Sequence, residues 1–132
     1  MARPYIGGTN AASVSKTASF SIAGTADHGK TFILSGGAVT VTLPTLSSSL
    51  KGFSCKIVSA DASEHVVSGG VSKIYYHGSY GGDHATQTGR DIHDTVSALT
   101  LNAGAINDTI DILCDGTNWY CNGSTKATMD AS

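Results

Sequence analysis

Apolar and polar residues alternate along most of this chain. Within Ala38–Ser59, Val39, Val41 and Leu43 alternate with Thr40 and Thr42, the signature of a strand with one buried face. Pro44 has no backbone N–H for a ladder and ends that strand. Thr45–Gly52 is a short connection with room for one helical turn. Phe53, Cys55 and Ile57 then alternate with Ser54 and Lys56 as a second strand. The same period predicts strands over Thr17–Ala23, Thr31–Ser35, His65–Ser68, Val71–His77, Val96–Leu101, Asp108–Cys114 and Trp119–Cys121. Tyr75 and Tyr76 fall on opposite faces of theirs. Gly36-Gly37, Gly69-Gly70 and Asp115–Asn118 are turn sequences between these runs.

Strands about ten residues apart, separated by turn signals, predict an all-β domain: an antiparallel β-sandwich or a jelly-roll-like barrel. The expected core is Phe20, Ile22, Phe32, Leu34, Val39, Val41, Leu43, Phe53, Ile57, Ile110, Ile112 and Trp119. Residues 1–16 have no period and read as an extended N-terminal arm. Residues 17–123 are the sandwich domain, interrupted at 78–94 by a long, polar, glycine-rich loop. Residues 124–132 read as a flexible tail.

A chain of 132 residues is sized for one domain and can bury roughly two-thirds of its unfolded surface without staples. Its formal net charge is −2, and its eight basic residues are scattered singly. No basic stripe is available to displace counterions from a phosphate backbone, so nucleic acid is not an expected partner. A membrane is not expected either, since no apolar run is long enough to span one and no secretory signal is evident. Cys55, Cys114 and Cys121 are an odd set without metal spacing and read as buried free thiols of a protein made in the cytoplasm. With a turn at Asp115–Asn118, Cys114 faces Trp119 and Cys121 faces Ile112, which sets those two sulfurs diagonally and too far apart to bridge.

Four constellations invite chemistry. Gly24–Thr31 (GTADHGKT) satisfies the phosphate-loop pattern, whose mechanism needs a helix opening at the lysine. The next residues are instead the β run Phe32–Ser35, closed by two glycines, so a nucleotide site is disfavoured. Asp83, His84, Asp91, His93 and Asp94, with His77 nearby, carry ligand-type side chains, yet their spacing matches no standard metal site. Tyr75, Tyr76, Tyr80 and Trp119 are aromatic groups able to stack on sugars or anchor an interface, with Trp119 expected to be half core. Asn107-Asp108-Thr109 and Asn122-Gly123-Ser124 match the glycosylation sequon, which matters only in a secreted eukaryotic context. No local nucleophile–base arrangement is present, and neither a catalytic set nor a cofactor is expected.

Four short stretches occur in order: Lys30-Thr31-Phe32-Ile33-Leu34, Val39-Thr40-Val41-Thr42-Leu43-Pro44, Gly52-Phe53-Ser54-Cys55-Lys56-Ile57-Val58 and Asp115-Gly116-Thr117-Asn118-Trp119-Tyr120. The set resembles a small β-module of tailed-bacteriophage virion proteins, found in capsid decoration (cement) proteins and in tail-fibre or other minor structural proteins. The resemblance spans roughly Thr17–Gly123 and leaves out the arm and the 78–94 loop. It implies a virion structural protein on the capsid surface, made in the bacterial host cytoplasm, that binds the major capsid protein as a homotrimer and stabilises the shell. Avidity would then multiply weak individual contacts. The expected contact residues are Arg3, Pro4, Tyr5 and Ile6 in the arm, and Tyr80, His84, Arg90 and His93 in the loop. The alternative is a tail-fibre or receptor-binding module that touches host-surface glycans through Tyr75, Tyr76 or Tyr80.

Overall fold

The computed structural model describes residues 12–81, 88–102 and 104–132. Among them, twelve strands form two sheets: β1 (Ser13–Lys16), β2 (Phe20–Ser21), β3 (Thr31–Leu34), β4 (Thr40–Thr42), β5 (Ser54–Ser59), β6 (Val66–Ser68), β7 (Ile74–Gly81), β8 (Thr88–Val96), β9 (Ala98–Leu101), β10 (Thr109–Cys114), β11 (Trp119–Thr125) and β12 (Met129–Ala131). The larger sheet runs β1-β3-β5-β10-β11-β7-β8 and the smaller β12-β9-β6-β4-β2. The all-β sandwich expected from the alternation is present. A short 3-10 turn at Ser48–Leu50 occupies the connection that had room for one.

The strand pairing is not the antiparallel one expected. Both sheets are mixed, with β1/β3, β3/β5, β2/β4, β4/β6 and β11/β7 parallel. The cause lies in the connections. From β1 to β6 the chain changes sheet at every step, so each return to a sheet runs in the same direction as the strand before it. A parallel pair needs a crossover, and here the crossover is a strand of the opposite sheet. Gly36-Gly37 therefore does not close a hairpin. Its two left-handed residues (φ 81° and 108°) carry the chain from β3 in one sheet to β4 in the other.

Three boundaries also differ from those expected. The end of the arm, Ser13–Lys16, is β1 and pairs with β3. The polar tail holds the end of β11 and all of β12, anchored by the buried Met129. Most of the 78–94 loop belongs to the β7/β8 ladder, in which His77 faces Ile92 and Ser79 faces Arg90. Two of its glycines, Gly78 and Gly89, are strand residues covered by the rings of Tyr76 and Tyr80. Gly78 and Gly123 face each other on β7 and β11, and the buried Tyr76 ring lies over both. A Cβ on either would overlap the Tyr76 hydroxyl.

The core is one cluster between the sheets. Phe32, Leu34, Cys55, Ile57, Ile74, Tyr76, Ile110, Ile112, Trp119 and Cys121 enter from the large sheet, and Val41, Val67, Leu99, Leu101 and Met129 from the small one. Every expected core residue but Phe20 is in it, and Phe20 packs against it half-buried, 5.1 Å from Phe32 between ring centroids. Trp119 meets Phe53 edge-on at 6.0 Å. Ile112 pairs with Cys121 and Cys114 with Trp119, as the turn predicts, and the three thiols are free and buried. Burial pushes the Cys55 thiol up to about 12 and raises Cys114 and Cys121 as well.

Carboxylates and imidazoles tie this frame together. His65 is buried and accepts the Val39 N–H on Nδ1 (3.1 Å), which leaves its proton on Nε2 to donate to Asp61 (2.8 Å). Asp61 also accepts from Gly37 N and Ser63 N, so one carboxylate holds both the glycine crossover and the β5–β6 connection. On the opposite side of the sandwich, Asp91 accepts Met129 N–H (2.6 Å) and His93 Nε2 donates to Met129 O (3.1 Å). Two side chains of β8 thus satisfy the backbone of β12 across the gap between the sheets.

The packing of Tyr76 can be tested by substitution. Gly123→Ala is expected to cost about 1–3 kcal/mol through overpacking against Tyr76, measured by denaturant unfolding. Adding Tyr76→Phe should recover part of that loss, because the deleted hydroxyl is the overlapping atom and is buried without a hydrogen-bond partner among the described residues. The nearby Thr125 hydroxyl donates instead to Ala127 O at 2.7 Å. Absence of any recovery would disprove the placement of that ring. A second prediction concerns acid. The Gly37 N–H bond above all, against some desolvation and with Ser63 and His65 assisting, holds the Asp61 carboxyl down to about 2. A depressed folded-state pKa contributes stability that is complete above the unfolded value of about 4 and is lost as pH falls from there through about 2. Asp61→Asn should flatten the unfolding-stability profile in that window; an unchanged slope would contradict the assignment.

Candidate binding groove on the large sheet

The turn between β10 and β11 builds the most distinctive surface of the molecule. Asp115 Oδ1 accepts the N–H groups of Thr117 (2.8 Å) and Asn118 (2.7 Å), closing the turn on its own side chain. Gly116 supplies the left-handed residue (φ 92°). The other carboxylate oxygen accepts the Tyr120 hydroxyl at 2.9 Å. These bonds, first those from Asn118 and Thr117, hold the Asp115 carboxyl below its ordinary value. Strand parity then sends Trp119 into the core and Tyr120 outward.

Tyr75 is the β7 residue opposite Tyr120, and their rings lie near-parallel, 5.7 Å between centroids. On the same outer face, Leu113 pairs with Tyr120, and Asn122 with His77 and Asp111. Ile92 (56 % exposed), Leu113 (49 %) and Tyr120 (38 %) are therefore large apolar side chains gathered on one sheet face.

Asp94 reaches this face through a bulge. β8 pairs Val96 with Ile74 and His93 with Tyr76, so Asp94 and Thr95 both stand opposite Tyr75. Thr95 has φ +55°, an uncommon conformation for a β-branched residue, and its hydroxyl donates to Asp94 O at 2.7 Å. The result is a groove of about 320 Å³ lined by Tyr75, His77, Asp94, Tyr120, Cys121 and Asn122. Past His77 and Asn122 it adjoins a second hollow of about 230 Å³, reaching Ser79 and Arg90.

The residues singled out from the sequence distribute unevenly around it. Arg3, Pro4, Tyr5, Ile6 and His84 lie outside the described residues, as does Asp83. Arg90 is exposed at the far end of the groove. Tyr80 is half-buried with its ring over Gly89, its partner on β8. His93 is half-buried, and its Nε2 donates to Met129 O on β12. Tyr76 is wholly buried, which removes it from the expected glycan contacts; burial, with Asp91 nearby, pushes its hydroxyl up to about 12. Among the described residues the Asp/His group is divided: Asp91 and His93 bond β12 while Asp94 and His77 line the groove. At Gly24–Thr31 a 3-10 turn is followed directly by β3, and Lys30 Nζ lies 2.8 Å from Asp27 Oδ1. The phosphate-loop geometry, which needs a helix there, is not formed.

Tyr120 was missed as a site residue, although the alternation that puts Trp119 inside puts its neighbour outside. Asp94 and His77 were singled out from the sequence only as ligand-type side chains; the place of Asp94 beside Tyr75 depends on the bulge.

The bulge makes a prediction. Thr95→Gly is expected to leave the melting temperature unchanged or raise it, since relief of about 1–2 kcal/mol of left-handed strain offsets glycine's entropic cost of roughly 0.5–1 kcal/mol. A clear fall in melting temperature would show that Thr95 sits in ordinary strand geometry.

No protein-family model matches this chain, and no curated protein matches it either.

Proposed function

We propose that this protein is a bacteriophage virion structural protein that decorates and stabilises the capsid as a homotrimer, and that it is not an enzyme. The observation that carries the non-catalytic part is the use made of its acid–base groups. His28 accepts Ser54 N–H, His65 accepts Val39 N–H, and Asp91 accepts Met129 N–H. Asp108 accepts Ala105 N–H and Lys126 N–H, and Asp115 accepts two N–H groups of its own turn. These side chains are engaged in backbone bonds that hold loops and strand edges, as suits a rigid scaffold. The thiols are buried and raised in pKa, which removes their nucleophilic form.

The virion context is supported by the resemblance of the four ordered motifs. In the fold these stretches form β3, β4, β5 and the β10–β11 turn, so what they encode is the sandwich frame. Capsid contacts are assigned to Arg3, Pro4, Tyr5, Ile6 and His84 and, on the β7/β8 ladder, to Tyr80, Arg90 and His93. The tail-fibre alternative draws on one specific observation, the outward-facing Tyr75–Tyr120 pair, in which Tyr75 is half-buried and Tyr120 exposed.

The test is binding to capsids of the encoding phage that lack this protein, followed by electron microscopy of the particles. A trimer in solution, density at local threefold positions and a raised disassembly temperature are expected. A monomer at micromolar concentration that does not sediment with capsids would refute the decoration role.

A further inference from the structure

We propose that the groove on the outer face of the large sheet is a saccharide-binding site, in which Tyr75 and Tyr120 carry the apolar C–H face of a sugar ring and Asp94, His77 and Asn122 bond its hydroxyls. This rests on the groove itself and is independent of where on a virion the protein sits.

The lining selects the ligand. The lining combines a pair of near-parallel tyrosines with a carboxylate, an imidazole and a carboxamide. An aliphatic ligand would cover the tyrosines but leave the three polar groups unpaired, at the cost of their desolvation. An anionic ligand would face the Asp94 carboxylate. A sugar presents an apolar face and, around its edge, hydroxyls that both donate and accept. Asp94 accepts, Asn122 does both, and His77 offers a donor and an acceptor. At about 320 Å³ the groove lies at the small end of the ~300–1,000 Å³ range of ligand sites. Its continuation toward Ser79 and Arg90 gives a chain of sugars a direction in which to extend.

Two further observations point to binding here. Tyr120 is preorganised: its hydroxyl is held by Asp115, itself fixed by two backbone N–H bonds, so the ring pair loses little freedom on binding. Asp94 contrasts with the carboxylates that cap backbone groups, for its side chain makes no hydrogen bond to a described residue. It is instead set beside Tyr75 by a bulge with a left-handed threonine. Bulges recur where a strand re-aims a side chain at a site, and backbone strain there is retained when the site needs it.

The experiment is an NMR titration of the full chain with glucose, galactose, N-acetylglucosamine and their disaccharides in the millimolar range. At least one sugar is expected to shift the amides of Tyr75, His77, Asp94, Tyr120 and Asn122. Tyr75→Ala should abolish the effect. Asp94→Asn, a near-isosteric change on an exposed side chain, should keep the fold by circular dichroism and weaken binding by about tenfold or more, the loss of a charge-assisted hydrogen bond. The proposal is overturned if no sugar of the panel shifts these residues. It is equally overturned if the shifts survive both substitutions, or if choline or free arginine occupies the groove while sugars do not, which would make it a cation site. None of these outcomes alters capsid binding, so the two roles fail separately.

Discussion

The antiparallel ladder between β10 and β11 is the constraint on which the rest of the molecule depends. Its turn is closed by Asp115 on Thr117 and Asn118, which fixes register to a single residue. A slip of one position would bring Tyr120 into the core and expel Trp119. With register set, Cys121 joins Ile112 and Cys55 in one inward row across three strands. The same parity places Tyr120, Asn122 and Ser124 on the outside, where β7 aligns Tyr75, His77 and Ser79 beside them. Core and groove are the two faces of one ladder.

Around that ladder the chain solves two problems with the same type of bond. The coil from β1 to β6 crosses repeatedly between sheets, and each crossing leaves backbone groups that no strand partner satisfies. The sandwich also has open edges, which invite pairing with other chains. Side-chain carboxylates and imidazoles answer both needs. Asp61 and His65 bind the crossover at Gly37 and Val39, while Asp91 and His93 clasp β12 to β8. Several of the ionisable groups thus serve local backbone geometry.

Much of the frame was legible in the sequence. Period-two alternation located β2, β3, β4, β5, β6, β9 and β10 and the starts of β7 and β11, and the DGTN turn gave the facing of Cys114 and Cys121 correctly. The continuations of β7 and β11 and the strand β12 escaped notice because their residues are chosen for a neighbour. Gly78 and Gly123 look like loop residues until the Tyr76 ring is seen to lie across them. Met129 is one buried side chain in a polar tail. The parallel winding was hidden because alternation is identical for parallel and antiparallel strands half-buried on one face. In the candidate groove, Tyr75 was visible as an outward aromatic, but its partners come from β11 and from a bulge on β8, and only tertiary pairing joins them. The bond from the His93 ring back to β12 could not be read from its polar, glycine-rich stretch.

The parallel alignment of β7 with β11 alone brings Tyr75 to Tyr120 and Gly78 to Gly123, so both groove and core packing stand or fall with it. Nuclear Overhauser contacts in the labelled protein measure it directly. The predicted pattern is ring-to-ring contact between Tyr75 and Tyr120, together with contacts from the Tyr76 ring to both Gly78 and Gly123. Contact of Tyr120 with Ser79, as an antiparallel pairing of these strands would bring about, and silence between the two tyrosine rings would contradict it.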